Sequence, residues 1–198
     1  MKAENNNALE NLREIRTLME RSSRFISLSG LSGIASGIIG IAGGLFAMYL
    51  FRTQEITVKL IPQVVLLAVL VLISAMAIAV LFTVRNAKKK GLKRWDKMSR
   101  MFLLNFILPL ALGGIFCGIL LYYEIYQLII PAMLIFYGLA LFNASNFTFS
   151  VIKFLGLIEM CLGIIAAFIP QYSIYLWTTG FGVLHIIYGI FMFNKYKG

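Results

Sequence analysis

The sequence predicts an all-α membrane protein: a six-transmembrane-helix bundle preceded by a short N-terminal cytoplasmic amphipathic helix. The first reason is composition, with 60% apolar and 13% charged residues among 198 and a mean hydropathy of +0.87, values outside the range of soluble domains. The second is spacing. Residues 25–51, 60–84, 101–123 and 125–152 carry no charge, and 154–194 hold only Glu159 and His185. Each gap can hold the ~20 residues needed to cross a hydrocarbon core, and the last can hold two such spans. The third is that the cations collect at alternate ends of these spans.

The segment 1–24 is read as cytoplasmic and amphipathic. Asn7 and Glu10 form a capping box, and Leu9, Leu12, Ile15 and Met19 recur at three- and four-residue steps behind it. The remainder, 25–198, is one transmembrane domain. Its first helix, expected over 26–50, is too long and lacks the small-residue site of a cleavable signal peptide, so it is retained. It carries Gly30, Gly33, Gly37, Gly40 and Gly44 at alternating steps of three and four. Such a smooth face permits close backbone approach, which is how membrane helices associate without a hydrophobic drive between them. The stripe is expected to seat another helix of the bundle, or else a second copy or a partner membrane protein.

The second helix is expected over 61–83, followed by a basic cytoplasmic loop, 85–100, in which Lys88, Lys89, Lys90, Lys93 and Arg94 flank Trp95. Trp95 lies at helical spacing beside Leu92 and Met98, so this loop reads as a contact with lipid headgroups. With one aromatic residue it is not read as a nucleic-acid surface. Helices over 102–122, 128–143, 149–169 and 173–193 follow. Ile169, Pro170 and Gln171 turn the chain between the last two, since proline ends one helix and can open the next.

Sixteen of the eighteen cations fall on one side of this topology, and only Arg52 and Lys59 on the other. By the positive-inside rule both termini are expected to be cytoplasmic. Tyr49, Phe51, Tyr122, Tyr123, Tyr126, Tyr172, Tyr175 and Trp177 then gather at the opposite boundary. The net charge of +10 is mostly topology, and the expected partners are lipids, not nucleic acid.

Glu159 and His185 are the candidate site. A carboxylate at mid-membrane costs about 2.5–3.5 kcal/mol on insertion scales, so it normally faces a partner or a polar cavity. Each is framed by glycine at i−3 and i+4: Gly156 and Gly163 around Glu159, Gly182 and Gly189 around His185. Counted from Gln171, Glu159 lies twelve residues back and His185 fourteen forward, so at ~1.5 Å per residue their depths in a hairpin differ by only about 3 Å. They are expected to meet across helices 5 and 6, with the glycines allowing the approach, and to line a polar cavity open toward helix 1.

No metal or cofactor site is expected. One histidine and two separated cysteines, Cys117 and Cys161, do not complete a zinc set, and both thiols are expected to be buried as small apolar groups. His-Glu-x-x-His, P-loop and dinucleotide motifs are absent. A short internal similarity links Tyr137–Asn143 to Tyr188–Asn194, and Ile-Pro recurs at 61–62, 130–131 and 169–170.

Gly30-Leu31-Ser32-Gly33 is similar to the serine motif of rhomboid intramembrane proteases. It sits on the first helix instead of the fourth, and no paired His-Asn precedes it, so no catalytic residue is carried over. Through the run from Glu20 to Gly33 and that from Gly180 to Gly189, the chain resembles an uncharacterised family of small bacterial six-helix integral membrane proteins. The resemblance implies the architecture and a bacterial inner membrane, and no activity. In size and helix count the chain also looks like the membrane-embedded substrate-binding subunits of energy-coupling vitamin transporters. The function expected is that of a small-solute binding or transport subunit with its polar site at Glu159 and His185. The alternatives are a regulatory or scaffold protein acting through partner chains, and an intramembrane enzyme.

Overall fold

A computed structural model describes residues 29–53, 60–89, 91 and 97–196. The expected amphipathic helix within 1–24 lies outside these residues, as do Lys90, Lys93, Arg94 and Trp95. Among the described residues every regular element is helical, and six spans are long and apolar enough to cross a membrane. They are α1, Gly30–Thr53; α2, Leu60–Lys89; α3, Lys97–Tyr122; α4, Ile129–Ala144; α5, Val151–Phe168; and α6, Pro170–Lys195. Single 3-10 turns, Tyr126–Leu128 and Ser145–Phe147, flank α4. The chain is built as an integral membrane protein.

Two boundaries differ from the sequence reading. α2 runs past 83 to Lys89, and α3 begins at Lys97, so most of the basic stretch is helix instead of loop. Arg85, Lys88 and Lys89 are exposed on the last turns of α2; long cationic side chains continue a helix well, and cations near its C-terminus suit the helix dipole. The prolines fall where a missing N–H does least harm. Pro62 and Pro131 sit in the first turns of α2 and α4, and Pro170 opens the 3-10 turn that begins α6. Pro109 lies inside α3, a position membrane helices tolerate when neighbours and local adjustments satisfy the freed backbone.

The helices pack in the neighbour order α2–α1–α6–α5–α4–α3, so chain neighbours α2 and α3 stand at the two ends of the series. The α1–α6 seam is backbone against backbone. A Cβ at Gly37 would lie 2.7 Å from the Gly182 carbonyl oxygen, and one at Gly40 would strike the Phe181 carbonyl. Farther along, Gly30 meets Gly189 and Phe193, and Gly44 meets Thr178. The stripe therefore seats α6, and side chains on it would force the helices apart.

The glycines framing the two ionisable residues do not pair with each other. A Cβ at Gly156 would sit 2.6 Å from the Gly138 oxygen, and one at Gly163 would sit 2.9 Å from the Pro131 oxygen; both belong to α4. Gly182 and Gly189 instead meet Ile41, Ile34 and Gly30 of α1. Helical geometry explains the correction: i−3 and i+4 both lie on one flank, about 40–60° around the helix from residue i. Each glycine pair seats one neighbour, which leaves the polar side chain directed at another.

Two apolar clusters bracket the middle of the bundle. Leu134, Ala166 and Trp177 form one, with Val71 of α2 packed against it; Leu141, Ile152 and Leu155 form the other, beside Tyr137 and Tyr188. Trp177 is 7% exposed, so it packs inside the bundle. Tyr122, Tyr123, Tyr172 and Tyr175 remain exposed.

Candidate functional site

α4, α5 and α6 each supply one polar side chain to a single buried point. Glu159 lies halfway along α5 and is 0% exposed. Its Oε1 is 3.6 Å from Nδ1 of His185, and among the described residues neither carboxyl oxygen has a hydrogen-bond partner. His185, also buried, is held at both ring nitrogens: Nδ1 lies 2.9 Å from the Gly180 carbonyl oxygen and Nε2 lies 2.6 Å from the Tyr137 hydroxyl. A carbonyl can only accept, so Nδ1 carries a hydrogen; in the neutral ring Nε2 then accepts from Tyr137. That assignment follows from the bonding network.

The backbone of α6 is shaped around this point. Ser173–Thr178 is α-helical, Thr179–Leu184 is a π-helix, and α-helix resumes at His185. Wide turns of this kind are rare inside α-helices and are frequently found at functional sites. Gly180 lies within the wide turn. A Cβ there would collide with Oε2 of Glu159 and come within 3.0 Å of Leu134, so the carboxyl rests directly on the α6 backbone. No side chain separates them.

Aromatic rings close the other side. Phe181 packs on Tyr137 at 4.6 Å between centroids, stacks over His185 at 6.1 Å with planes 13° apart, and touches Trp177 at 5.0 Å. Phe106 of α3 meets Tyr137 edge-on. The surroundings of the pair are thus α4, α6 and aromatic carbon, and the polar contacts point toward α4. The expected opening toward α1 is corrected on the same grounds as the glycines: α1 occupies the glycine flank of α6, where it meets backbone.

The sequence singled out Glu159 and His185 but not Tyr137. A signal was present. Of nine tyrosines, Tyr137 and Tyr188 are the two set farthest from the ends of their spans, and both stand in the Tyr-Gly repeat noted for other reasons. Gly180, Phe181 and the π-turn left no readable mark. Among the described residues no group of three His, Cys, Asp or Glu side chains could hold a metal. Cys117 is half-buried and Cys161 is exposed, so the expectation that both are buried thiols fails for Cys161, which no other described helix covers. Lys88 and Lys89 project outward at the end of α2. Compared with family models, curated proteins and solved structures, the chain matches none.

Proposed function

We propose that the chain is a small-solute binding or transport subunit whose intramembrane site, Glu159 with His185 and Tyr137, takes up and releases a single proton. The observation that carries this reading is a fully buried carboxyl with both oxygens unpartnered, 3.6 Å from the chain's one histidine. Burying a charge without a partner is among the largest penalties a fold can incur, and either protonation or an adjacent cation relieves it. Both routes are at hand. A proton on Glu159 removes the charge. A proton on Nε2 of His185 makes an ion pair instead, and the Tyr137 hydroxyl need only turn from donor to acceptor. With Gly180 pressed against Oε2, the site has no room for a solute beside that oxygen, which favours a proton as its occupant.

The same reading places both termini in the cytoplasm of a bacterial cell, with the basic end of α2 and the segment after it on anionic headgroups at about 1 kcal/mol per cation. Cysteines introduced at Lys89 and Gly198, in a background lacking Cys117 and Cys161, should be shielded from impermeant reagent in intact cells while one at Gln127 reacts. The reverse pattern would invert the topology.

The proton site is tested by infrared spectroscopy of the protein in liposomes. A protonated-carboxyl band that changes with pH and disappears in Glu159→Gln is expected, and Tyr137→Phe should shift its pH dependence. A wild-type spectrum without such a band at any pH, or one unchanged by Glu159→Gln, would exclude Glu159 as the proton carrier.

A further inference from the structure

Away from the polar site lies a cleft of about 200 Å³ walled by α1, α2, α4, α6 and the end of α3 at Leu121. On α2 its lining extends from Leu60 to Val71, on α1 from Phe51 through Ala47 to Gly43, and at α4 from Tyr126, in the 3-10 turn before it, to Met133. The α2 wall alone is about 16 Å long at ~1.5 Å per residue. The small volume spread over that length makes the cleft a slot. Its near end lies where α1 ends and α2 begins, and its deep end is closed by Val71, which a Cβ on Gly43 would meet at 2.5 Å, and by Trp177.

The lining is hydrocarbon and aromatic, which decides among occupants. Water needs two or more polar partners, and the slot has almost none to give. Another helix, about 10 Å across with its side chains, cannot enter between walls that meet at Gly43 and Val71. What fits is narrow, apolar and extended. Access is lateral: among the described residues α2 packs extensively only on α1, which leaves the flank of the slot toward α3 and α4 open to the bilayer, while Leu66, Val69, Leu70 and Ile73 are exposed on the side of α2 away from the slot.

We propose that this slot binds one extended hydrocarbon chain of a single-tailed amphiphile, drawn sideways from the bilayer, with its end against Trp177. The binding site stands without the proton site; describing the chain as the subunit's substrate rests on the function proposed above. Trp177 touches Phe181, which stacks on His185, so two ring contacts link the slot to the polar site.

Trp95→Phe leaves Trp177 as the sole tryptophan and an optical reporter. In liposomes of unlabelled phospholipid, a mid-chain brominated fatty acid should quench Trp177 saturably, and unlabelled fatty acid should reverse the effect. Ala68→Phe, which fills the slot, should weaken binding by about tenfold or more, whereas Leu70→Phe on the outer side of α2 should leave it unchanged. Quenching that rises linearly with label, resists competition and is equal in Ala68→Phe would be adventitious bilayer contact only, and would overturn the proposal. Competition requires no variant, so a misfolded Ala68→Phe does not rescue or sink the idea. Glu159→Gln separates the two readings: saturable quenching that persists in this variant, with no infrared band in the wild type, removes the proton site and leaves the slot.

Discussion

α2 and α6 are both neighbours of α1, and they are held to it in opposite ways. α6 meets α1 through glycine on both sides, so backbone touches backbone along most of the span. α2 meets it through side chains, such as Val71 over Gly43 and a 3.3 Å bond from the Ser36 hydroxyl to the Ala75 carbonyl. α2 is the most apolar span and the least buried; α6 is the least apolar and carries the site. In water the ranking would be reversed. Within a bilayer, lipid tails solvate leucine as well as a core does, so apolar content marks the helices that face lipid, while glycine and polar groups mark those that face protein.

The largest expected effect comes from overpacking the α1–α6 seam. Gly37→Leu drives a side chain into the Gly182 carbonyl and Ile186; overpacking typically costs about 1–3 kcal/mol, and with backbone as the obstacle the upper end or misassembly is expected. Thermal unfolding in detergent measures it. If Gly37→Leu melts with the wild type, the contrast between the two contacts of α1 is lost.

Gly180→Ala comes next. The new methyl group meets the Glu159 carboxyl, and a loss of about 1–3 kcal/mol is expected. Glu159→Ala in the same chain should recover part of that loss, because the two changes share one contact. Strict additivity of the pair would mean that the carboxyl does not rest on the α6 backbone.

Tyr137→Phe removes the 2.6 Å partner of the His185 ring. One buried hydrogen bond, with the acceptor left unpaired, predicts a loss of about 1–2 kcal/mol, together with a shift in the His185 ring-nitrogen resonances. Unchanged resonances would detach Tyr137 from the site.

Leu70→Ala should do least, within about 0.5 kcal/mol, since Leu70 is 55% exposed and faces outward on α2. A loss approaching that of Gly37→Leu would show that α2 is buried by something beyond this chain.

The six spans were legible because a bilayer imposes one length and one composition on every crossing, and the gaps between charges record both. The depth match of Glu159 and His185 was legible for the same reason, being a count of residues from Gln171. Which helix each glycine pair seats was not legible. That depends on the rotation of each helix about its axis, and a flank offset of about 40–60° looks, in sequence, the same as facing. That Trp177 packs inside the bundle was not legible either, because its distance from the turn suits both an exposed ring and a buried one. Tyr137 carried a signal, its place in the middle of a span, but the count from Gln171 does not reach α4, so its bond to His185 needed the fold.

The wide turn at Thr179–Leu184 gives α6 the character of a vernier. Upstream, Trp177 and Thr178 are set against the bundle by one phase of the helix; downstream, His185, Tyr188 and Gly189 follow another. A wide turn is an α turn with one residue inserted, so removing one residue there and tightening the turn to ordinary α geometry would leave the phase on either side nearly unchanged. A deletion in the α-helical turn before it, Ser173–Thr178, has no such slack: it would rotate one side against the other by about 100° and shift it by ~1.5 Å. The wide turn is therefore the place where this helix can change its length, and a single-residue deletion there should be less damaging to the site than one in the α-helical turn beside it.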